Sequence, residues 1–211
     1  QNCYPHIMAL LTGQELDLQR LSGEDRLRRL QPRSGLDFSS NDFLGLASSP
    51  RLRRAVADAL ARCVSIGSGG SRLLRGNDPE HEALEREAAE FFGSEAALYF
   101  SSGFAANSAI LSTLPQRGDL VVHDALIHAS AHEGMRLGRA PYVSAKHNDP
   151  AAMADAITAW RRSGGTGTPW IVAESLYSMD GDRAPLGELA AVAEQHEAML
   201  LIDEAHATGV F

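Results

Sequence analysis

The stretch MLLIDEAHATGVF ends an apolar run on Asp203 and then supplies Glu204, His206 and Gly209 within six residues. A carboxylate at the exit of a buried strand can hold a protonated ring nitrogen, and a neighbouring imidazole can donate to or accept from the same ligand. Three other stretches offer comparable chemistry. FSSGFAAN places Ser101, Ser102, Gly103 and Phe104 where a helix opens. A helix start carries about +0.5 charge and unpaired N–H groups, and glycine lets an anion approach the backbone. Neither a Gly-Lys-Ser/Thr sequence nor GxGxxG is present, so the nucleotide loops of those types are excluded.

HDALIHASAHEG gathers His123, Asp124, His128, His132 and Glu133. His128 and His132 are four apart and share a helix face, a spacing that can hold a metal. HExxH is absent and no third ligand is evident, so His132 reads as an ordinary surface residue. A histidine at a strand-to-helix turn can cap the helix or lie flat on an aromatic ligand. ESLYSMDGDRAPL brings Ser178 close to a strand exit; its Asp180, Gly181 and Asp182 read as a tight turn, because the calcium-loop ligand pattern fails. Each stretch also has an ordinary reading as a cap or a turn, and Asp203 alone is as well explained by one.

The elements that must position these residues follow a rhythm. Residues 14–30 form an amphipathic arm with Leu16, Leu18, Leu21, Leu27 and Leu30 among charges, followed by a Ser/Asn/Asp/Gly-rich loop. Ser49-Pro50 signals a helix by cap and first-turn proline, with Leu52, Val56 and Leu60 on one face. A Gly-rich stretch, VSIGSGGSRLLRGND, precedes a second helix opened by Asp78-Pro79, predicted to bury Leu84, Ala88, Phe91 and Phe92 and to stop at Gly93. Strands are then predicted at AALYF, DLVVHD, PYVSA, PWIVAES and MLLID, with helices over 103–115, 126–138, 149–163 and 185–197. Alternation with apolar strands predicts an α/β fold: a mainly parallel sheet covered by helices on both faces, with an N-terminal arm. Ligands of such sheets bind beyond the carboxyl ends of the strands, where all four stretches fall.

Composition sets limits. The 211 residues suffice for one well-buried α/β domain, alone or with an arm, and the net charge of -8 gives no global attraction for nucleic acid or an anionic membrane. No apolar run approaches the roughly 20 residues of a membrane helix. Cys3 and Cys63 sit in no metal or redox spacing, so a reduced, cytoplasmic setting is expected.

Together the four exits call for a ligand with a phosphate, an aromatic ring and a basic ring nitrogen. Pyridoxal phosphate has all three, and an aspartate at the ring nitrogen keeps it protonated so that the ring can accept electrons. A metal-dependent hydrolase built on Asp124, His128, His132 and Glu133 is the reading from a different class.

FSSNDFLGL, GSGGSRLLRG, HEALE, FSSGFAAN, HDALIHAS, HND, ESLYSMDGDRAPL and LIDEAHATGV occur in the order found in the α-oxoamine synthases, which the chain resembles from about Phe38 to Phe211. The resemblance implies a fold-type I enzyme using pyridoxal 5'-phosphate. By it, Asp203 partners the pyridine nitrogen and His206 donates to the phenolic oxygen. His128 stacks on the ring and reaches the substrate, Gly103 and Phe104 meet the phosphate, Ser178 contacts the cofactor, and Asn41 lies near the substrate carboxylate. No metal is implied. Arg26, Arg28, Arg29 and Arg33 compete to meet the acyl substrate, and none is assigned.

The implied reaction is a decarboxylative condensation of L-alanine with an acyl thioester, pimeloyl-CoA or its carrier-protein equivalent; glycine-using members of the family are the alternatives. A homodimer is implied, with SIGSGGSRLLRG reaching toward the neighbouring site. The family's Schiff-base lysine follows DEAH by a few tens of residues, whereas the one lysine here, Lys146, reads as a surface residue. Residues 1–37 are thus expected to be an arm and linker. Residues 38–211 are expected to be the N-terminal part of a large cofactor domain, inactive without its remainder and a C-terminal small domain.

Overall fold

A computed structural model of the chain describes residues 12–30, 32 and 34–211; Cys3 and Arg33 lie outside them. The chain divides into two units, one ending at Ser40 and one spanning Asn41–Phe211. In the first, helix α1 covers Thr12–Gly23, shorter than the predicted arm. The N–H groups of both Arg26 and Leu27 turn back to the Leu21 carbonyl, which ends it.

The second unit holds helices α2 (Pro50–Ala61), α3 (Pro79–Phe92), α4 (Gly103–Thr113), α5 (Ala129–Leu137), α6 (Pro150–Arg162) and α7 (Leu186–Gln195). Its strands are β1 (Leu120–Asp124), β2 (Tyr142–Ala145), β3 (Pro169–Glu174) and β4 (Met199–Asp203). They form one parallel sheet in the order β2-β1-β3-β4. Successive side chains of a strand point to opposite faces, and the core follows that alternation. Val122 and Ile171 pack with Met153, Ile157 and Leu189 of α6 and α7, while Val121 and Val172 pack with Leu111, Ala131 and Met135 of α4 and α5. Helices therefore cover both faces, as the apolar strands predict.

Three expectations need correction. AALYF forms no strand: residues 96–100 are irregular, with Leu98 and Tyr99 67% and 48% exposed. Strand preference reflects fit to a pleated surface beside a neighbour, and no described strand flanks this segment. Its Tyr99 N–H instead donates to Glu85 Oε1 at 2.8 Å. The apolar faces of α2 and α3 are likewise uncovered, with Val56 61%, Phe91 80% and Phe92 59% exposed. Periodicity identifies a face that seeks cover without saying what supplies it. Helix α5 starts three residues later than predicted, because Asp124 holds the turn before it: its Oδ1 accepts Leu126 N–H at 2.8 Å and its carbonyl accepts Ile127 N–H.

The capping signals are obeyed unevenly. Asp78 and His81 form a reciprocal capping box on α3, and Gly93 ends that helix in the left-handed conformation at φ 65°. Ser49 occupies the cap position of α2, yet its hydroxyl makes no capping bond.

One glycine governs how α4 meets α5. A Cβ at Gly134 would lie 2.9 Å from the Asn107 carbonyl oxygen, 2.9 Å from Leu111 Cβ and 3.0 Å from Ser108 Cα. The obstacles are largely backbone, so Gly134→Ala should force the helices apart and cost about 1–3 kcal/mol, the usual penalty of overpacking. Thermal unfolding checks this: an unchanged midpoint would mean that the seam yields freely.

Candidate functional site

The polar groups gather where the strands end. Register sets Glu174, the last residue of β3, opposite Asp203, the last of β4, and Asp124 closes β1 beside them. Asp203 is fixed through both oxygens: Oδ2 accepts from Asn107 Nδ2 at 2.6 Å, and Oδ1 accepts Ala205 N–H at 2.8 Å. The second amide hydrogen of Asn107 goes to Ser130 Oγ at 3.0 Å. Ser130 Oγ lies 2.8 Å from His128 Nδ1, which also receives Ser130 N–H at 3.2 Å. A backbone N–H can only donate, so His128 Nδ1 is an acceptor, and a neutral ring carries its proton on Nε2. An unbroken line of bonds thus joins Asp203 to His128 through Asn107 and Ser130.

Other predicted residues surround that line. His128 caps α5, with Phe104 edge-on at 6.4 Å and His206 at 6.3 Å between ring centroids. Gly103 opens α4 beside the strand exit, where an added Cβ would lie 3.9 Å from Ala205 Cβ. Ser102 caps α4 by accepting Ala105 N–H at 3.1 Å, and among the described residues no hydrogen-bond acceptor is seen for the N–H of Gly103 or Phe104. The line, the paired rings and the available helix start therefore fit pyridoxal phosphate: carboxylate, imidazoles and anion donors share one end of the sheet.

Ser178 is exposed on the turn after β3, which is built as predicted: Gly181 (φ 72°) donates to the Tyr177 carbonyl, and Tyr177 N–H to the Asp182 carbonyl. Asn41 is exposed, and none of the bonds above reaches it. Its loop approaches the end of the chain through Leu44, whose Cδ1 would lie 3.1 Å from a Cβ at Gly209. Lys146 is exposed and paired with Asp149 at 3.4 Å, outside the cluster. Arg26 pairs with Glu24 at 3.1 Å, and Arg28 and Arg29 are exposed.

Among the described residues no three His, Cys, Asp or Glu side chains gather as a metal site requires. The group considered for a hydrolase is divided. His132 lies edge-on to His123 at 5.0 Å, and burial, with the His123 and Arg136 charges, holds its pKa below the usual imidazole range. Asp124 faces the other way, into a clasp absent from the sequence reading. Its Oδ1 lies 2.7 Å from His147 Nδ1, and His147 Nε2 lies 2.8 Å from Asp182 Oδ2. Asn148 donates its backbone N–H to Asp124 Oδ2 at 2.8 Å and its amide to Asp182 Oδ2 at 2.6 Å. Burial alone would lower the His147 pKa, but the bonds to Asp124 and Asp182 outweigh it and raise it. The clasp binds the exits of β1 and β2 to the turn that carries Ser178.

Sequence reasoning also missed Glu174, which is 1% exposed. Burial, then the charge of Asp203, pushes its pKa up to about 7, against the opposing effects of His128 and of the His128 and Ser178 N–H groups. Between the ordinary carboxyl value of 4.5 and about 7, the folded chain keeps a proton here that the unfolded chain has released. This residue's contribution to stability therefore declines as pH rises through that window.

The family model for aminotransferases of class I and II matches residues 33–211. An 8-amino-7-oxononanoate synthase of Emericella nidulans is 45% identical over 205 residues, covering 89% of this chain and 50% of its own length. A serine palmitoyltransferase from S. paucimobilis, solved with bound PLP, superposes with a TM-score of 0.75 at 30% identity, over 93% of this chain and 54% of its own. An 8-amino-7-oxononanoate synthase from Francisella tularensis gives a TM-score of 0.64 at 30% identity, over 81% and 45%. The chain spans about half the length of the curated relatives it matches. These matches agree with the α-oxoamine synthase resemblance of the motifs.

Proposed function

The chain belongs to the aminotransferase class I and II family, and from that premise we propose that it carries the first part of a pyridoxal-phosphate acyltransferase. The reaction is the decarboxylative condensation of L-alanine with pimeloyl-CoA, or a pimeloyl carrier protein, to 8-amino-7-oxononanoate in biotin biosynthesis. The enzyme is a cytoplasmic homodimer in this reading, with residues 1–37 an arm and linker and residues 38–211 the start of the cofactor domain. The observation that carries the reading is the bonded line from Asp203 to His128, which ties a carboxylate and an imidazole into one cluster. The relatives named for this synthase supply the choice of substrate.

When bound, the cofactor supplies an electron sink for the amino acid's α-carbon. Asp203 would hold a proton on the pyridine nitrogen and so sustain that sink. His128 would stack on the ring with its Nε2 proton available to the substrate, its Nδ1 held by the Ser130 hydroxyl and N–H. Gly103 and Phe104 offer N–H groups to the phosphate, favoured by the helix dipole. His206 would donate to the phenolic oxygen, Ser178 would contact the cofactor, and Asn41 would orient the substrate carboxylate. Lys146 holds none of these positions, so the Schiff-base lysine belongs to a segment outside these 211 residues.

The test is an assay of the protein in a form that includes the lysine-bearing segment. L-Alanine, glycine and L-serine are each paired with pimeloyl, succinyl, acetyl and palmitoyl thioesters. Alanine with a pimeloyl thioester should give at least tenfold more product than any other pairing. Preference for glycine with succinyl-CoA would indicate a 5-aminolevulinate synthase, glycine with acetyl-CoA a 2-amino-3-ketobutyrate ligase, and serine with palmitoyl-CoA a palmitoyltransferase. Any of these would overturn the substrate assignment.

A further inference from the structure

Glu174 is a fully enclosed ionisable group at the sheet's carboxyl edge, and none of the roles above uses it. Its Oε2 lies 3.5 Å from His206 Nδ1. Both atoms are buried and neither has a hydrogen-bond partner among the described residues. Two such atoms at that separation are a fraction of an ångström from one good hydrogen bond. Leaving both unmade is costly, whereas a proton between them satisfies both. The register places Asp203 directly opposite. The other ionisable groups whose charges act on Glu174 are His128, at the start of α5, and Tyr177, in the turn after β3. The backbone N–H groups of His128 and Ser178 also act on this carboxyl, favouring its charged form.

We propose that Glu174 is a positioning residue that shares one proton with His206, and through it sets the charge and ring orientation of that histidine. The proton rests on Glu174 Oε2 beside a neutral imidazole, or on His206 Nδ1 beside a carboxylate. Moving it between them changes neither the charge of the pair nor any other bond. His206 Nδ1 is thereby committed inward, and the remaining ring nitrogen is the one that can face a ligand. Asp203 opposes loss of the proton, because releasing it would leave two carboxylates side by side.

The consequence is a coupled titration: two groups that share a proton lose their protons in two macroscopic steps. The readout is the histidine ring nitrogen shifts of the ligand-free protein, followed by NMR from about pH 5 to about pH 9, with His206 assigned by its loss in His206→Gln. The wild-type His206 should titrate in two steps. In Glu174→Gln, which keeps the shape of the side chain without its titratable proton, it should titrate in one. In Asp203→Asn the last step should move down by roughly one pH unit as the opposing charge is removed. A single wild-type step with an unchanged midpoint in both variants overturns the proposal. If the signals of His132 and His147 show that Glu174→Gln has lost the native fold, the Asp203→Asn shift decides the matter. No ligand is needed, so this outcome is independent of the substrate assignment.

Discussion

Asp203→Ala should lower kcat by about 10²–10³-fold, the loss of one preorganised electrostatic partner of the reacting group, or about 3 kcal/mol. The expectation rests on how this carboxylate is held. Asn107 and Ala205 fix its two oxygens at 2.6 Å and 2.8 Å, so its charge needs no reorganisation when a ring nitrogen arrives. The alanine variant removes the charge and leaves two donors unpaired. Asp203→Asn isolates the charge, because it keeps the shape while losing the anion, and it should be almost as severe. The measurement is steady-state turnover in the form carrying the lysine segment, together with cofactor retention by absorbance. Activity within threefold of wild type for Asp203→Asn would sink the assigned role.

The second large effect concerns stability. Asp124→Ala should reduce unfolding free energy by about 3–5 kcal/mol, the range for removing one partner of a buried charged pair. Asp124 is 1% exposed and serves three donors from two segments: Leu126 N–H, Asn148 N–H and His147. All three lose their acceptor at once. For a chain of this size each kcal/mol moves the melting midpoint by about 2–4 °C, so a fall of roughly 10 °C is expected by calorimetry. His147→Gln should cost less, because Asp124 keeps its two backbone donors. Equal midpoints for wild type and Asp124→Ala would show that the clasp contributes nothing.

What the sequence disclosed, and what it hid, divides along a physical line. Helix starts and strand exits were legible because Pro50, Pro79 and Pro150 and the apolar runs of β1, β3 and β4 act locally. The gathering of His128, Asp203 and His206 was legible because a parallel sheet sends every strand exit to one edge; Gly103 and Phe104 join them at a helix start that follows no described strand. The hidden parts depend on distant pairing. Asn107 lies 96 residues from Asp203 and Asp182 35 from His147, and no local pattern reports either bond. Glu174 escaped notice because a glutamate ending an apolar strand reads as the strand's boundary. AALYF and the stripe of α2 failed for the converse reason: apolar character was present, but the surface to receive it was not.

The α4–α5 seam has a meaning for redesign. Asn107 and Ser130 sit on opposite sides of it, and Gly134 sets how closely the two helices approach. Spacing between carboxylate and imidazole is thereby decided at a residue with no functional group. A mutagenesis library confined to polar, ligand-facing residues would leave that spacing untouched. Exchanges on the exposed Ser178 turn would likewise leave untouched the separation that the packing at Gly134 sets.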